Sequence, residues 1–170
     1  QVRLWAENSL IASHECEDDI DQRARDLLKQ LGLAGFIKHA VPRRFGGARE
    51  KVEARDLCIL REELARGDAL ADTMFALQAL GSYPITLAGS AVQKQNYLPK
   101  VARGAAIAAF AITEPEAGSD IASLQTTALR QGEQFALNGT KRFISNAGIA
   151  DFYVVFASTA PEKKAKGLSA

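Results

Sequence analysis

Near residue 105 the apolar residues of this 170-residue chain change their spacing, from threes and fours to twos. That change constrains the fold more than any single motif. Spacings of three and four put one helix face on a core, and a spacing of two does the same for a strand. Asp19–Leu31 carries Ile20, Ala24, Leu27, Leu28 and Leu31 on one stripe, with Gly32 as a stop signal. Leu33–Gly47 is irregular, with turns at Pro42 and Gly46-Gly47. Glu53–Arg66 is a second amphipathic helix, with Leu57, Leu60, Leu64 and Ala65 on its stripe and Gly67 at its end. Ala69–Leu80 is apolar nearly all round, the pattern of a helix that is buried or lines a pocket. Pro84–Ala88 and Ala91–Ala102 predict two shorter helices.

Beyond that point Ala106–Ile112 predicts a buried strand. Thr126–Arg130, Gln134–Leu137, Lys141–Ser145 and Phe152–Ala157 predict further strands, and Asn138-Gly139 reads as a hairpin turn. The fold class is therefore α+β, with an all-helical N-terminal domain over 1–105 and a β-rich domain over 106–170. Open strands leave edges that proteins usually pair or cover. The second domain is thus expected to be incomplete in this chain, the alternative being a small complete α+β domain.

Composition narrows the function. A net charge of +1 gives no electrostatic case for nucleic acid. No apolar run approaches the roughly 18 residues that span a bilayer. Cys16 and Cys58 have no Cys or His at metal-ligand spacing and read as free thiols of a reducing compartment. His14 and His39 are isolated, so no metal site is expected. The chain begins at Gln1 rather than Met, so a leader removed upstream would leave no trace here.

Chemistry concentrates in Ala109–Asp120, a strand running into a loop of hydroxyls with Pro115 and Gly118. Gly118 lets a ligand approach the backbone. Thr113 and Ser119 offer hydroxyls, and successive loop amides can cradle an anion. The alternative is structural, with Asp120 capping a turn. Glu114 and Glu116 would have to point away from any phosphate.

Four stretches together resemble the acyl-CoA dehydrogenase family. Ile112-Thr113-Glu114-Pro115 with Ala117-Gly118-Ser119-Asp120 is similar to its flavin loop, and Asn138 through Asn146 to its hairpin strand beside the flavin. Val41-Pro42-Arg43-Arg44-Phe45-Gly46-Gly47 and Tyr97 through Gly104 are similar to two further family segments, in the family's order and spacing. The resemblance implies a helical N-terminal domain and the start of a middle β-barrel domain. FAD would be gripped between the middle domain and a C-terminal helical bundle.

It also implies residue roles. Phe110, Ile112 and Thr113 are expected against the flavin, with Thr113 bonding its polar edge. Gly118 and Ser119 are expected near the diphosphate, and Ser119 also near the CoA. Phe143, Ile144 and Ser145 are expected on the ring's other side. Phe143 stands where the family usually has Trp, Ser145 where it has Thr, and Glu116 where Gly is frequent. Thr73, Leu77 and Leu80 are candidate walls of an acyl pocket, although ordinary core is the commoner fate of such a helix. Phe110 and Phe143 could likewise be plain core. Gly46-Gly47 is either a tight turn or a shaper of the cofactor cleft, and Lys94, Lys100 and Arg103 form a solvated face.

The implied activity is α,β-dehydrogenation of an acyl-CoA thioester with hydride transfer to flavin. The general base, a Glu of the helical bundle, would lie outside this chain, so no catalytic residue is assigned and the piece alone is expected to be inactive. Implied partners are acyl-CoA, an electron-transfer flavoprotein or similar acceptor, and, in a full-length chain, three further copies in a tetramer. The implied location is bacterial cytoplasm or mitochondrial matrix. Two alternatives stay open: a flavin oxidase or monooxygenase of the same fold, and a non-catalytic module binding acyl thioesters or a partner.

Overall fold

The computed structural model describes residues 1–10 and 19–170, so the expectations for His14 and Cys16 lie outside the described residues. Helix α1 spans Val2–Ser9 and sets Trp5 edge-on against Phe36, ring centres 5.1 Å apart. Helix α2 spans Ile20–Leu33 and starts on Asp19, whose Oδ1 accepts the amides of Asp21 and Gln22 at 3.0 Å each. Its stripe buries Ala24, Leu27, Leu28 and Leu31, while Ile20 is exposed. Gly32 does not stop the helix. It lies within α2, where the Arg103 carbonyl closes on its bare Cα, and the chain reverses at Gly35 with φ +82°.

Residues 36–40 and 43–45 form two short 3-10 turns. Gly46-Gly47 behaves as a tight turn, with the amides of Phe45 and Gly47 both donating to Pro42 O. Helix α3 spans Ala54–Gly67 and buries Leu60 and Leu64, with Ala65 facing solvent. Asp68 serves two helices at once. Its amide closes the end of α3 on Leu64 O, and its Oδ1 accepts from Leu70 and Ala71 to start α4. Its other oxygen pairs with Arg23 of α2.

The apolar segment and the short helix expected after it are one element. Helix α4 runs unbroken over Ala69–Ala88 with Pro84 inside it. Proline forfeits one helical hydrogen bond. Tertiary packing overrides that loss, because α4 lies at the centre of the core and touches α2, α3, α5 and the first strand. Helix α5 spans Ala91–Ala102 behind a capping box in which Ser90 and Gln93 exchange bonds.

The strands form two open sheets, with no closed barrel among the described residues. Strand β1 (Ala108–Ala111) pairs in parallel with β4 (Phe152–Val155), Ala108 opposite Phe152 and Ala111 opposite Val155. Strand β1 is laid on α4: Ala108 N donates to the buried Gln78 Oε1 at 3.2 Å, and a Cβ on Gly81 would stand only 2.7 Å from the Ala108 Cβ. One continuous core therefore joins the helices to Ala106–Ala108, Ile149, Phe152 and Val154. The second sheet has the order β3–β2–β5–β6, from Thr127–Gln131 (β2), Gln134–Asn138 (β3), Ala157–Ser158 (β5) and Leu168–Ser169 (β6). The expected strand Phe152–Ala157 is thus divided. It leaves β1 at Phe156, whose amide donates to Ala111 O, and continues in the other sheet.

Two expectations are overturned here. The hairpin turn is Gly132-Glu133, not Asn138-Gly139, because β2 pairs with β3 from Thr127↔Asn138 to Gln131↔Gln134. Gly132 takes φ +65° and Glu133 does not, as a type II′ turn requires. Lys141–Ser145 is not a strand. Phe143 (φ +56°) and, just beyond, Asn146 (φ +65°) are left-handed, which breaks any ladder.

Candidate functional site

Strand β1 ends by delivering Phe110, Ile112 and Thr113 to one margin of the molecule. Phe110 is half-buried and tilts against Phe156, centres 5.0 Å apart; Ile112 and Thr113 are half-buried beside it. The chain then turns tightly, with Glu114 and Ala117 exchanging amide–carbonyl bonds in both directions.

Glu114 is the most constrained group of the region, 6% exposed. Its carboxylate accepts the amides of Gln125 (2.6 Å) and Thr126 (3.0 Å) and the Lys141 ammonium (2.8 Å). Burial alone would raise its pKa, but the Lys141 bond and the two amides outweigh it and hold the carboxyl down at about 2. Lys141 Nζ also donates to Ile112 O at 3.0 Å. Next to it, Arg142 N donates to Thr113 O at 2.9 Å. The loop after β3 therefore lies along the end of β1, fastened further on by Asn146 Nδ2 to Ala108 O at 3.0 Å.

That fastening brings together the two stretches that sequence reasoning paired. Phe143 follows the Arg142–Thr113 contact and is 78% exposed, so it is no core residue. Its ring is covered on one face by the Arg142 guanidinium, 4.4 Å from the centroid. Ile144 is half-buried and Ser145 exposed. Gly118 and Ser119 are exposed on the neighbouring loop. No residue from Glu114 to Asp120 has a positive φ, so the loop lacks the αR–αL alternation of an anion nest. Asp120 does cap a turn, accepting Ala122 N at 3.2 Å and the Ser123 hydroxyl at 2.6 Å.

Among the described residues, the hydroxyls of Thr113, Ser119 and Ser145 have no hydrogen-bond partner. A Cβ built on Gly118 would meet nothing within 4 Å, so protein packing does not dictate glycine there. Thr73, Leu77 and Leu80 lie on the face of α4 away from its buried residues Met74, Phe75, Gln78 and Gly81. Thr73 and Leu80 are exposed and Leu77 is half-buried, so these three are not core. The Thr73 hydroxyl bonds back to Ala69 O at 2.9 Å.

Sequence reasoning missed Lys141, Arg142 and Asn146, and gave Glu114 no positive role. The signal that could have found them is an acid, Glu114, set just after the buried strand in one motif, and the single lysine, Lys141, of the other.

Residues 1–105 match the family profile described as acyl-CoA dehydrogenase, N-terminal domain, and residues 109–170 that described as acyl-CoA dehydrogenase, middle domain. An acyl-CoA dehydrogenase of Bacillus subtilis is 37% identical over 170 residues, covering 99% of this chain and 44% of the relative. The crystal structure of an acyl-CoA dehydrogenase from Geobacillus kaustophilus superposes with a TM-score of 0.81 at 32% identity, covering 98% of this chain and 44% of the other. An FAD complex of PigA superposes with a TM-score of 0.80 at 32% identity, covering 99% of this chain and 45% of the other. The chain thus spans less than half the length of these relatives.

Proposed function

The chain belongs to the acyl-CoA dehydrogenase family, and we propose that it supplies the flavin- and substrate-facing wall of an FAD-dependent enzyme that desaturates an acyl-CoA thioester between its α and β carbons. One observation carries this reading: the loop holding Phe143 and Ser145 is bonded to the end of β1 beside Thr113 through Lys141 and Arg142, and the Thr113 and Ser145 hydroxyls have no partner among the described residues. Partnerless hydroxyls beside an exposed aromatic suit a planar ring with a polar edge.

The residues present fit FAD. Thr113 offers its hydroxyl to the polar edge of the ring system. Phe110 and Ile112 form an apolar wall, with Phe143, Ile144 and Ser145 across from it. Gly118 leaves room for close approach, and Ser119 supplies a donor to a phosphate or to the CoA moiety. When bound, FAD supplies the two-electron redox chemistry, and the protein supplies position and electrostatics. Donors already aimed at the site of developing charge lower the barrier without reorganising. Thr73, Leu77 and Leu80 form part of the wall for the acyl chain.

Glu114 is not the base that removes the α proton. A carboxylate held at about 2 is too weak a base near neutral pH, and its oxygens are already occupied by Lys141, Gln125 and Thr126. The base lies outside this chain, so 170 residues alone do not turn over acyl-CoA. The division into 1–105 and 106–170, an electron-transfer flavoprotein as acceptor, and a tetramer of longer chains belong to the same proposal.

The test is spectroscopic. A longer protein containing this chain, titrated with FAD, binds it with quenched flavin fluorescence and bleaches when acyl-CoA is added anaerobically. The isolated chain with FAD shows no acyl-CoA-dependent dye reduction. Failure of the longer protein to bind FAD ends the reading, and turnover by the isolated chain places the base within it.

A further inference from the structure

Lys141 and Glu114 are the most enclosed ion pair of the β-rich part, with side chains 13% and 5% exposed. Burying two charges is costly and adds little net stability over an apolar pair, so their placement calls for another explanation. The pair joins three segments. Glu114 follows the end of β1. Its carboxylate is anchored by the amides of Gln125 and Thr126, just before β2. Lys141 opens the loop after β3 and reaches back to both Glu114 Oε1 and Ile112 O.

The loop it opens needs such an anchor. It makes no strand ladder, and it holds two non-glycine residues, Phe143 and Asn146, in the left-handed region. That conformation persists in a bulky residue only when its surroundings impose it. Besides Lys141, the ties to β1 and its extension are Arg142 N to Thr113 O and Asn146 Nδ2 to Ala108 O. Phe143 itself is exposed and finds its ring contact only with the neighbouring Arg142. Apart from that guanidinium, which belongs to the same loop, the largely exposed ring stands where the backbone on either side puts it.

We propose that Lys141 is a positioning residue for the flavin: clamped between the Ile112 carbonyl and the Glu114 carboxylate, it holds the 141–146 loop on the end of β1 and so sets Phe143 and Ser145 opposite Thr113. The inference rests on the flavin-binding reading above. Lys141 acts through the loop and is not itself in contact with the ring.

The experiment compares the longer protein with its Lys141→Met, Lys141→Arg and Glu114→Gln/Lys141→Met variants. Three quantities are read: FAD affinity by flavin fluorescence, thermal midpoint, and amide exchange over 141–146 in flavin-free protein. Lys141→Met weakens FAD binding by at least ~10-fold and speeds exchange of the loop amides by a similar factor. Lys141→Arg, which can still donate to both oxygens, stays within about threefold of the unmutated protein. The double variant buries no orphaned charge, so it recovers the thermal midpoint even if Lys141→Met folds poorly, yet it keeps the weakened FAD affinity and the fast exchange. A double variant with unmutated FAD affinity and slow loop exchange overturns the proposal, because the pair would then be structural only. If the unmutated protein binds no FAD, the flavin reading fails, while exchange in the flavin-free variants still decides whether Lys141 holds the loop.

Discussion

The low pKa of Glu114 makes acid stability the sharpest quantitative test of the site. A carboxyl held at about 2 against an ordinary value of 4.5 is worth ~3 kcal/mol to the folded state where both forms are ionised, at ~1.4 kcal/mol per decade. The folded value is the lower one, so this contribution is complete above the unfolded carboxyl's range and is lost as pH falls towards the folded value. About 2 kcal/mol of it is gone by roughly pH 3. Glu114→Gln removes the titration and strands Lys141, costing ~3–5 kcal/mol at neutral pH. Urea unfolding followed by circular dichroism from pH 7 down to pH 3, on both proteins, reads the difference. The two stability curves should stay apart above about pH 5 and draw together by ~2 kcal/mol below it. Curves that run parallel over the whole range would mean that Glu114 is not held by Lys141 and the Gln125 and Thr126 amides, and the account of the loop anchor would fall with it.

Further expectations concern other contacts. Gly81→Ala should lower the unfolding free energy by ~1–3 kcal/mol in urea despite the better helix propensity of alanine, because the new methyl meets Ala108 at 2.7 Å; a gain in stability would contradict the close seat of β1 on α4. Asp68→Ala should cost ~2–4 kcal/mol in urea unfolding by removing the α4 cap and Arg23's partner together, with Asp68→Asn recovering the cap's share. Thr113→Val should leave stability within ~0.5 kcal/mol but weaken FAD binding about 5- to 10-fold in a fluorescence titration, the worth of one hydrogen bond. A large stability loss there would show that the hydroxyl has a partner in the protein.

Most of the helical part was legible because its apolar period is plain, and α5 falls on the expected residues Ala91–Ala102. Where the reading failed, a local signal met a stronger distant one. Pro84 looked like a break, but a helix gripped on several sides keeps its axis through one missing bond. Asn138-Gly139 carried the standard hairpin signature, yet Gly132-Glu133 made the turn. The Asn-Gly pair instead leads into an irregular loop whose course depends on Lys141 reaching back to Glu114. The alternation in Lys141–Ser145 resembled a strand because positive φ at Phe143 has no signature in a bulky residue. The site shows the same division. Its two motifs were readable one at a time, but the ion pair joining them exists only once the chain has folded.

The way β1 is seated bears on how the molecule is made. Gln78 and Gly81 are both on α4, so the groove and the hydrogen-bond acceptor that receive Ala108 have left the ribosome before that strand does. Phe152, its partner in the ladder, is synthesised much later. A helix can therefore act as a temporary template for a strand whose neighbour does not yet exist, sheltering a sticky edge through the part of synthesis when nascent chains are most prone to aggregate.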